Sequence, residues 1–146
     1  MIANQFLEIF ERDILKVQEE IRAYKNESDM WKTSGSFTNS AGTLCLHLTG
    51  NLNHFIGAVM GQTGYVRQRE LEFSMRDQSR ESLLDGLTNA LKMVRETLPK
   101  LKDGDFEKDF PIDFLGQRKT LQVMIILIAH LNYHLGQINY HRRMLS

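Results

Sequence analysis

The residues whose types and spacing suggest chemistry are histidines, of which the chain has five. His130 and His134 lie four residues apart in a segment predicted to be helical. Their side chains therefore share one face, about 5–6 Å apart at Cβ. Two imidazoles placed in this way can bind one cation through bonds of about 2.0–2.1 Å. The pair alone is weak evidence, since short histidine spacings also arise by chance.

His47 adds a third candidate ligand from another part of the chain. It shares the inward stripe of the second predicted helix with Leu44 and Leu48. A buried imidazole needs a hydrogen-bond partner or a metal ion. If the second and fourth helices touch, His47 lies opposite the pair. Three imidazoles with the other positions open to water are typical of catalytic metal sites. On spacing alone, the alternative that each histidine is an ordinary hydrogen-bonded residue stays open.

The two remaining histidines are predicted not to be ligands. His54 lies seven residues after His47, and His141 lies seven after His134. Each is therefore displaced by roughly 10 Å along its helix. We expect His54 at most to line a cavity. Cys45 lies on the other side of the second helix and is expected to be a small core residue.

Four polar or aromatic residues flank the candidate ligands. Asn51, one turn after the first ligand, and Gln137, three residues after the last, have the phase of residues that face the site. They would either orient a ligand or serve as buried amides. The phase of Tyr133 and Tyr140 favours packing.

Four amphipathic segments must position these residues. The first covers residues 1–24, and Ser40 and Ser79 are predicted N-caps of the second and third. The apolar face of the second segment continues to Val59. The fourth runs from about Thr120 to Met144 and is apolar almost all round in its first two turns.

The connections between these segments are long. The segment 26–40 has Trp31 as its one expected large apolar anchor, 61–78 breaks the helical pattern, and prolines and glycines punctuate 99–116. Connections of this length support crossovers between non-adjacent helices. With no strand periodicity or internal repeat, the sequence predicts one all-α domain over residues 1–146: a four-helix bundle with long crossover connections.

Composition narrows the class of protein. The 146 residues carry 18 basic and 18 acidic side chains, so no net charge attracts nucleic acid or an anionic membrane. One cysteine excludes an internal disulfide. The longest apolar run, residues 123–129, is far shorter than the roughly 20 residues of a membrane helix. We expect a cytoplasmic protein without a membrane or nucleic-acid partner. The run also predicts either a helix buried on several sides or a homodimer.

The order of these motifs resembles a known family. His47 on the second helix, followed by a His-x-x-x-His pair on the last, resembles the DinB-like superfamily of metal-binding four-helix bundles. The stretch Leu-His-Leu-Thr-Gly-Asn-Leu at 46–52, preceded by Asn-Ser at 39–40, is followed by Arg-Gln-Arg-Glu-Leu-Glu-Phe at 67–73. This order is similar to the branch called DUF1572, and the likeness covers almost the whole chain.

The resemblance implies a bundle with long crossovers, often dimeric, in which His47, His130 and His134 are the metal ligands. It favours a structural role for the charged residues between 67 and 72. Related proteins include S-transferases that use bacillithiol or mycothiol, and metal-dependent hydrolases or isomerases. The superfamily name comes from DNA-damage induction, but the neutral charge gives no reason to expect DNA binding.

An open three-histidine site can acidify a water for hydrolysis or deprotonate a substrate thiol for S-transfer. We therefore expect a metal-dependent transferase or hydrolase that acts on a small molecule, with no catalytic residue assigned. The alternative is a non-catalytic metal-binding or stress-associated module. Imidazole suits several divalent metals, with zinc or nickel expected first and iron or manganese after them.

Overall fold

Helices account for 72% of the chain in the computed structural model, which describes residues 1–146. The five α-helices are α1 (Ile2–Ala23), α2 (Ala41–Leu52), α3 (Arg69–Ser74), α4 (Arg80–Thr97) and α5 (Thr120–Leu145). A π-helical segment, Asn53–Met60, continues α2, and short 3-10 segments cover Glu27–Trp31, Leu98–Lys100 and Asp103–Glu107. Extended pairing is limited to two isolated bridges. The predicted all-α fold class is confirmed.

Both predicted serine caps are present. The Ser40 hydroxyl accepts a hydrogen bond from the backbone N–H of Thr43 at 3.2 Å. The Ser79 hydroxyl accepts one from Ser82 at 3.1 Å. Each bond pairs a backbone donor that the first helical turn leaves without a partner. The starts of α2 and α4 are therefore encoded locally.

The four long helices form a bundle in which two of the three consecutive pairs, α1 with α2 and α4 with α5, are not packed neighbours. α1 packs against α4 and α5, and α2 packs against the same two helices. Asp13 of α1 contacts Asn132 of α5, and Glu20 further along α1 contacts Asn139, so these helices run parallel. The predicted crossovers between non-adjacent helices are confirmed.

The crossover between α2 and α4 explains where α3 lies. α2 and α4 run in the same direction, because Thr49 lies beside Gly86 and Gly57 lies beside Met93. The chain must therefore return along the bundle between them. α3 forms on this return and packs against α2. The sequence predicted only a break here, and this short helix is a correction.

Two further expectations about local structure were wrong. Met30 is fully buried in the core, so Trp31 is not the only apolar anchor of its segment. The second helix does not stay α-helical to Val59, since it changes to π-helical hydrogen bonding at Asn53. π-helical turns are often found at functional sites.

The apolar start of α5 is not buried on several sides. Val123, Met124 and Leu127 enter the core, but Leu121 is 40% and Ile125 55% exposed. α5 is long and apolar enough to cross a membrane by length and composition, with 33% of its most apolar window buried. The core helix of a soluble protein passes the same test, so this one helix is weak evidence for a membrane protein.

Candidate metal centre

The bundle brings the three predicted ligands together. α2 and α5 are packed neighbours, and His47 on α2 faces His130 and His134 on α5. The Nε2 atom of His130 lies 3.0 Å from Nε2 of His47 and 3.1 Å from Nε2 of His134. All three candidate ligand atoms lie within 4.8 Å of one another. Neither His54 nor His141 belongs to this group.

These spacings fit one shared cation. With bonds of about 2.0–2.1 Å, two nitrogen ligands are about 2.9 Å apart at a right angle and about 3.3 Å apart at a tetrahedral angle. The observed 3.0 and 3.1 Å fall between these values. The three imidazoles can therefore ligate one divalent ion and leave its remaining positions to other ligands.

Hydrogen bonds on the far side of two rings determine which nitrogen carries the proton. Nδ1 of His47 lies 3.1 Å from Oε1 of Glu72, and Nδ1 of His134 lies 2.7 Å from Oε1 of Gln137. Both oxygens are acceptors, so each Nδ1 donates a proton. The neutral rings then direct their Nε2 lone pairs at the Nε2 atom of His130.

His130 has only one hydrogen to offer, and it cannot satisfy both neighbours. Its own Nδ1 is buried without a hydrogen-bond partner. A cation between the three rings would accept all three Nε2 lone pairs. It would account for the convergence of the Nε2 atoms, whereas Nδ1 of His130 would stay without a partner.

The electrostatics keep the rings neutral, which is the form that binds metal. Burial lowers the pKa of His47, His130 and His134 below the ordinary value of 6.5. The shift is largest at His130, where burial and then the neighbouring imidazoles lower the pKa to about 4. Protons therefore compete poorly for this site near neutral pH.

Glu72 is the functional neighbour that the sequence interpretation missed. It is buried on α3, and Arg67 donates to both of its oxygens, from Nε at 2.9 Å and from Nη2 at 3.0 Å. A carboxylate that accepts the second N–H of a ligating histidine is a recurrent feature of metal sites. The ion pair with Arg67 holds this segment in place, and the contact with His47 extends from it to a candidate ligand, while the expected structural role stays a prediction.

Gly50 makes the approach of Glu72 possible. A Cβ at this position would lie 1.9 Å from Oε2 of Glu72, far inside van der Waals contact. Glycine inside a helix costs about 1 kcal/mol relative to alanine, so its presence needs a reason. Its position one turn after His47, together with the following Arg-x-x-x-x-Glu, is the sequence signal that would have identified this contact.

The two amides predicted to face the site have different outcomes. Gln137 contacts His134 and lies at the surface, so it is not a buried amide, and its role in orienting a ligand stays a prediction. Asn51 is buried, and its Oδ1 has no hydrogen-bond partner, so its role stays a prediction. The packing predicted for Tyr133 and Tyr140 was wrong, because the side chains are 65% and 63% exposed.

His141 and Cys45 have structural environments. The His141 ring donates from Nε2 to the Lys32 carbonyl at 2.8 Å and accepts at Nδ1 from the Tyr24 hydroxyl at 2.5 Å. Both of its nitrogens are thus occupied. Cys45 is fully buried, and burial raises its thiol pKa to about 12, as expected of a core residue.

Comparison with known proteins agrees with this architecture. A crystal structure described as that of a conserved protein from Enterococcus faecalis is similar over 99% of this chain and 97% of its own, with a TM-score of 0.75. The sequence identity is 15%, so the likeness concerns the fold alone. No curated protein matches the sequence.

A sequence-family model gives the more direct relationship. The model described as "Protein of unknown function (DUF1572)" matches residues 2–146. The match includes both histidine motifs, the glycine beside Glu72 and the crossover that carries Arg67. The chain therefore belongs to the DUF1572 family.

Proposed function

We propose that this protein is a divalent-metal-dependent enzyme of the DinB-like type, with His47, His130 and His134 as its metal ligands. Its reaction is thiol S-transfer or hydrolysis on a small molecule. The observation that carries the proposal is the convergence of three Nε2 atoms around one point. The outer hydrogen bonds to two of the rings leave their lone pairs directed at that point.

Glu72 and Gln137 would hold two of the ligating rings in one orientation and one tautomer. Arg67 neutralises the carboxylate, so that His47 is not left beside an unpaired buried charge. A divalent ion in this site supplies Lewis acidity, which makes a bound water or thiol acidic near neutral pH. Asn51, with its unpaired Oδ1, keeps the predicted role of orienting a ligand.

The chain offers no nucleophile of its own at this site. Cys45 lies on α2, but its thiol is fully buried and its pKa is raised to about 12. A reactive cysteine is exposed and has a lowered pKa. The nucleophile would therefore be water or a thiol that belongs to the substrate, which suits both proposed reaction types.

The donor set favours borderline metals. Three imidazoles suit zinc, nickel and iron, and manganese prefers oxygen donors. We propose zinc or nickel as the resident ion, with iron or manganese as the next candidates.

Elemental analysis of untagged protein, purified without added metal, tests the first part of the proposal. About one divalent ion per chain is expected, and a screen of metal-loaded protein against thiols and hydrolysable small molecules should reveal turnover. A protein without affinity for these ions contradicts the proposal. A metal-loaded protein without turnover would instead be the non-catalytic binding module.

We also propose a homodimer, in which a second copy covers the exposed apolar start of α5. Leu121 and Ile125 lie there next to the partly buried Ile128. Ile125→Glu should dissociate the dimer in analytical ultracentrifugation. Val66→Glu is the matched control, because Val66 is 79% exposed in the crossover. A 17.0 kDa wild-type monomer at tens of micromolar contradicts the dimer.

A further inference from the structure

A cavity of about 540 Å³ adjoins the candidate metal centre. His134 and its partner Gln137 form part of its wall, so the cavity and the candidate metal ligands share residues. Binding sites for small molecules typically measure about 300–1,000 Å³. The cavity is therefore large enough for a substrate group whose reactive end reaches the metal centre.

The lining of this cavity is uncharged. No Asp, Glu, Lys or Arg side chain is among its twelve residues. Half of the lining is apolar or aromatic: Phe37, Leu44, Tyr133, Tyr140, Met144 and Leu145. Ser36, Thr38 and Asn39 add neutral hydrogen-bonding groups at one end. An ionised substrate group placed here would find no ion-pair partner in the lining.

Arg143, which lies three residues after the lining residue Tyr140 on α5, is engaged with an aromatic ring. The guanidinium of Arg143 lies 5.2 Å from the centre of the Tyr140 ring and is not part of the lining. This contact fixes Tyr140 at the edge of the cavity through a cation–π interaction. Arg143 therefore positions an aromatic wall rather than providing a charge for a ligand.

Part of the cavity wall is held in place by contacts within the protein. His141 is held by Tyr24 on one side and by the Lys32 carbonyl on the other. Phe37 packs edge-on against the His141 ring, with centroids 5.9 Å apart. A wall that needs no rearrangement lowers the entropic cost of binding.

The outer edge is aromatic and largely exposed. Tyr133 and Tyr140 are more than 60% exposed, although both side chains are large and lie beside this cavity. Their rings could cover a flat apolar ligand, because offset and edge contacts between aromatic rings are favourable. The ligand would then provide the packing contacts that the sequence predicts for these two tyrosines.

We propose that this cavity binds an uncharged, aromatic portion of the substrate, with the reactive end of the molecule directed toward His134 and the metal centre. This inference rests on the proposed function, which it deepens by naming a substrate class. The charged parts of a second reactant, such as an ionic thiol, would lie outside the cavity.

A matched pair of fluorescent probes tests the charge preference. N-phenyl-1-naphthylamine and 8-anilino-1-naphthalenesulfonate share one ring system and differ by a sulfonate. Titration of the full-length protein should show one site per chain for the uncharged amine. The sulfonate should bind at least about tenfold more weakly, because its charge finds no partner in the lining. Equal or tighter binding of the sulfonate would overturn the inference.

Substitutions on α5 locate the site. Tyr140→Ser should weaken binding of the uncharged probe about three- to tenfold, whereas Tyr140→Phe should retain it, because the ring provides the contact. Val66→Ser is the control, since Val66 is also an exposed apolar residue but lies outside both the cavity and the proposed dimer contact. If Val66→Ser weakens binding as much as Tyr140→Ser, or if Tyr140→Ser has no effect, the assignment is wrong.

The titration distinguishes this inference from the proposed function, because it measures binding and not turnover. It is carried out on metal-free and on metal-loaded protein. Selective binding at Tyr140 in a protein that never takes up metal would support the cavity assignment while the proposed function fails. Unselective binding in a metal-loaded protein would overturn the cavity assignment and leave the metal site intact.

Discussion

Two clusters of side chains on α5, one with three histidines and one around His141 alone, use the imidazole for different purposes. In the metal-centre cluster, His130 and His134 meet His47, and three Nε2 atoms converge. One turn from the end of the helix, His141 meets Tyr24 and the Lys32 carbonyl, and both of its nitrogens have protein partners.

The clusters differ in the partners of their imidazoles and not simply in burial. His141 is as buried as His47, yet its two hydrogen bonds leave no lone pair for a ligand. His47 and His134 use Nδ1 to donate, which leaves Nε2 directed into the cluster. The difference teaches that a ligand site is recognised by unused acceptors that converge, because a satisfied imidazole contributes only to packing.

The largest expected effect tests this comparison directly. His130→Ala or His134→Ala removes one of the three ligands. Loss of a hydrogen-bond partner behind a ligand costs about 10–100-fold in metal affinity, and loss of the ligand itself should cost more. His141→Ala and His54→Ala should leave the metal content nearly unchanged. Metal content is measured by elemental analysis after dialysis. Equal loss in all four variants would mean that surface histidines scavenge metal and that the two clusters do not differ.

The second prediction concerns the outer hydrogen bond of the metal-centre cluster. Glu72→Gln, or Gly50→Ala, which displaces the carboxylate, should weaken metal binding about 10–100-fold because His47 loses its orientation. Gly86→Ala is the matched helical control, since a Cβ there meets Thr49 at an ordinary 3.8 Å. Isothermal titration with zinc measures the affinities. Unchanged zinc affinity in both Glu72→Gln and Gly50→Ala would mean that Glu72 has a structural role and does not orient His47 for metal binding.

The third prediction perturbs the other cluster. Tyr24→Phe leaves Nδ1 of His141 buried without a donor and should lower the free energy of unfolding by about 1–3 kcal/mol. Tyr133→Phe removes an exposed hydroxyl and should stay within about 0.5 kcal/mol of the wild type. Urea denaturation checks both values, and metal content should not change in either variant. Metal loss in Tyr24→Phe would show that the two clusters are coupled.

The last prediction concerns the pH dependence of the metal-free protein. His130 has a pKa of about 4 when folded, against an ordinary value of 6.5. Below pH 6.5 the unfolded chain therefore binds more protons than the folded one, so stability should fall as the pH decreases from about 6.5 toward 4. Melting temperatures of wild type and His130→Gln across this range measure it. An equally steep decrease of the melting temperature in His130→Gln would mean that groups other than His130 cause the pH dependence.

Much of the fold follows from local sequence. The apolar residues at three- and four-residue steps predicted the long helices, and Ser40 and Ser79 predicted where two of them begin. Both signals depend only on residues within one or two helical turns. The His-x-x-x-His spacing placed two candidate ligands on one face for the same reason. α3 was missed because six residues carry too little periodicity to be distinguished from a loop.

Helical spacing alone identified the residues that could act as ligands: His47 lies on an inward helical stripe, and His130 and His134 share a face. The packing of the helices, which spacing does not reveal, makes α2 and α5 neighbours, places Glu72 against His47 and pairs His141 with Tyr24. It also left Tyr133 and Tyr140 exposed beside a cavity, where periodicity favoured packing. The physical reason is that helical phase depends on residues a few positions apart, whereas these contacts join residues separated by 25 to 117 positions and depend on how the helices are arranged in the bundle.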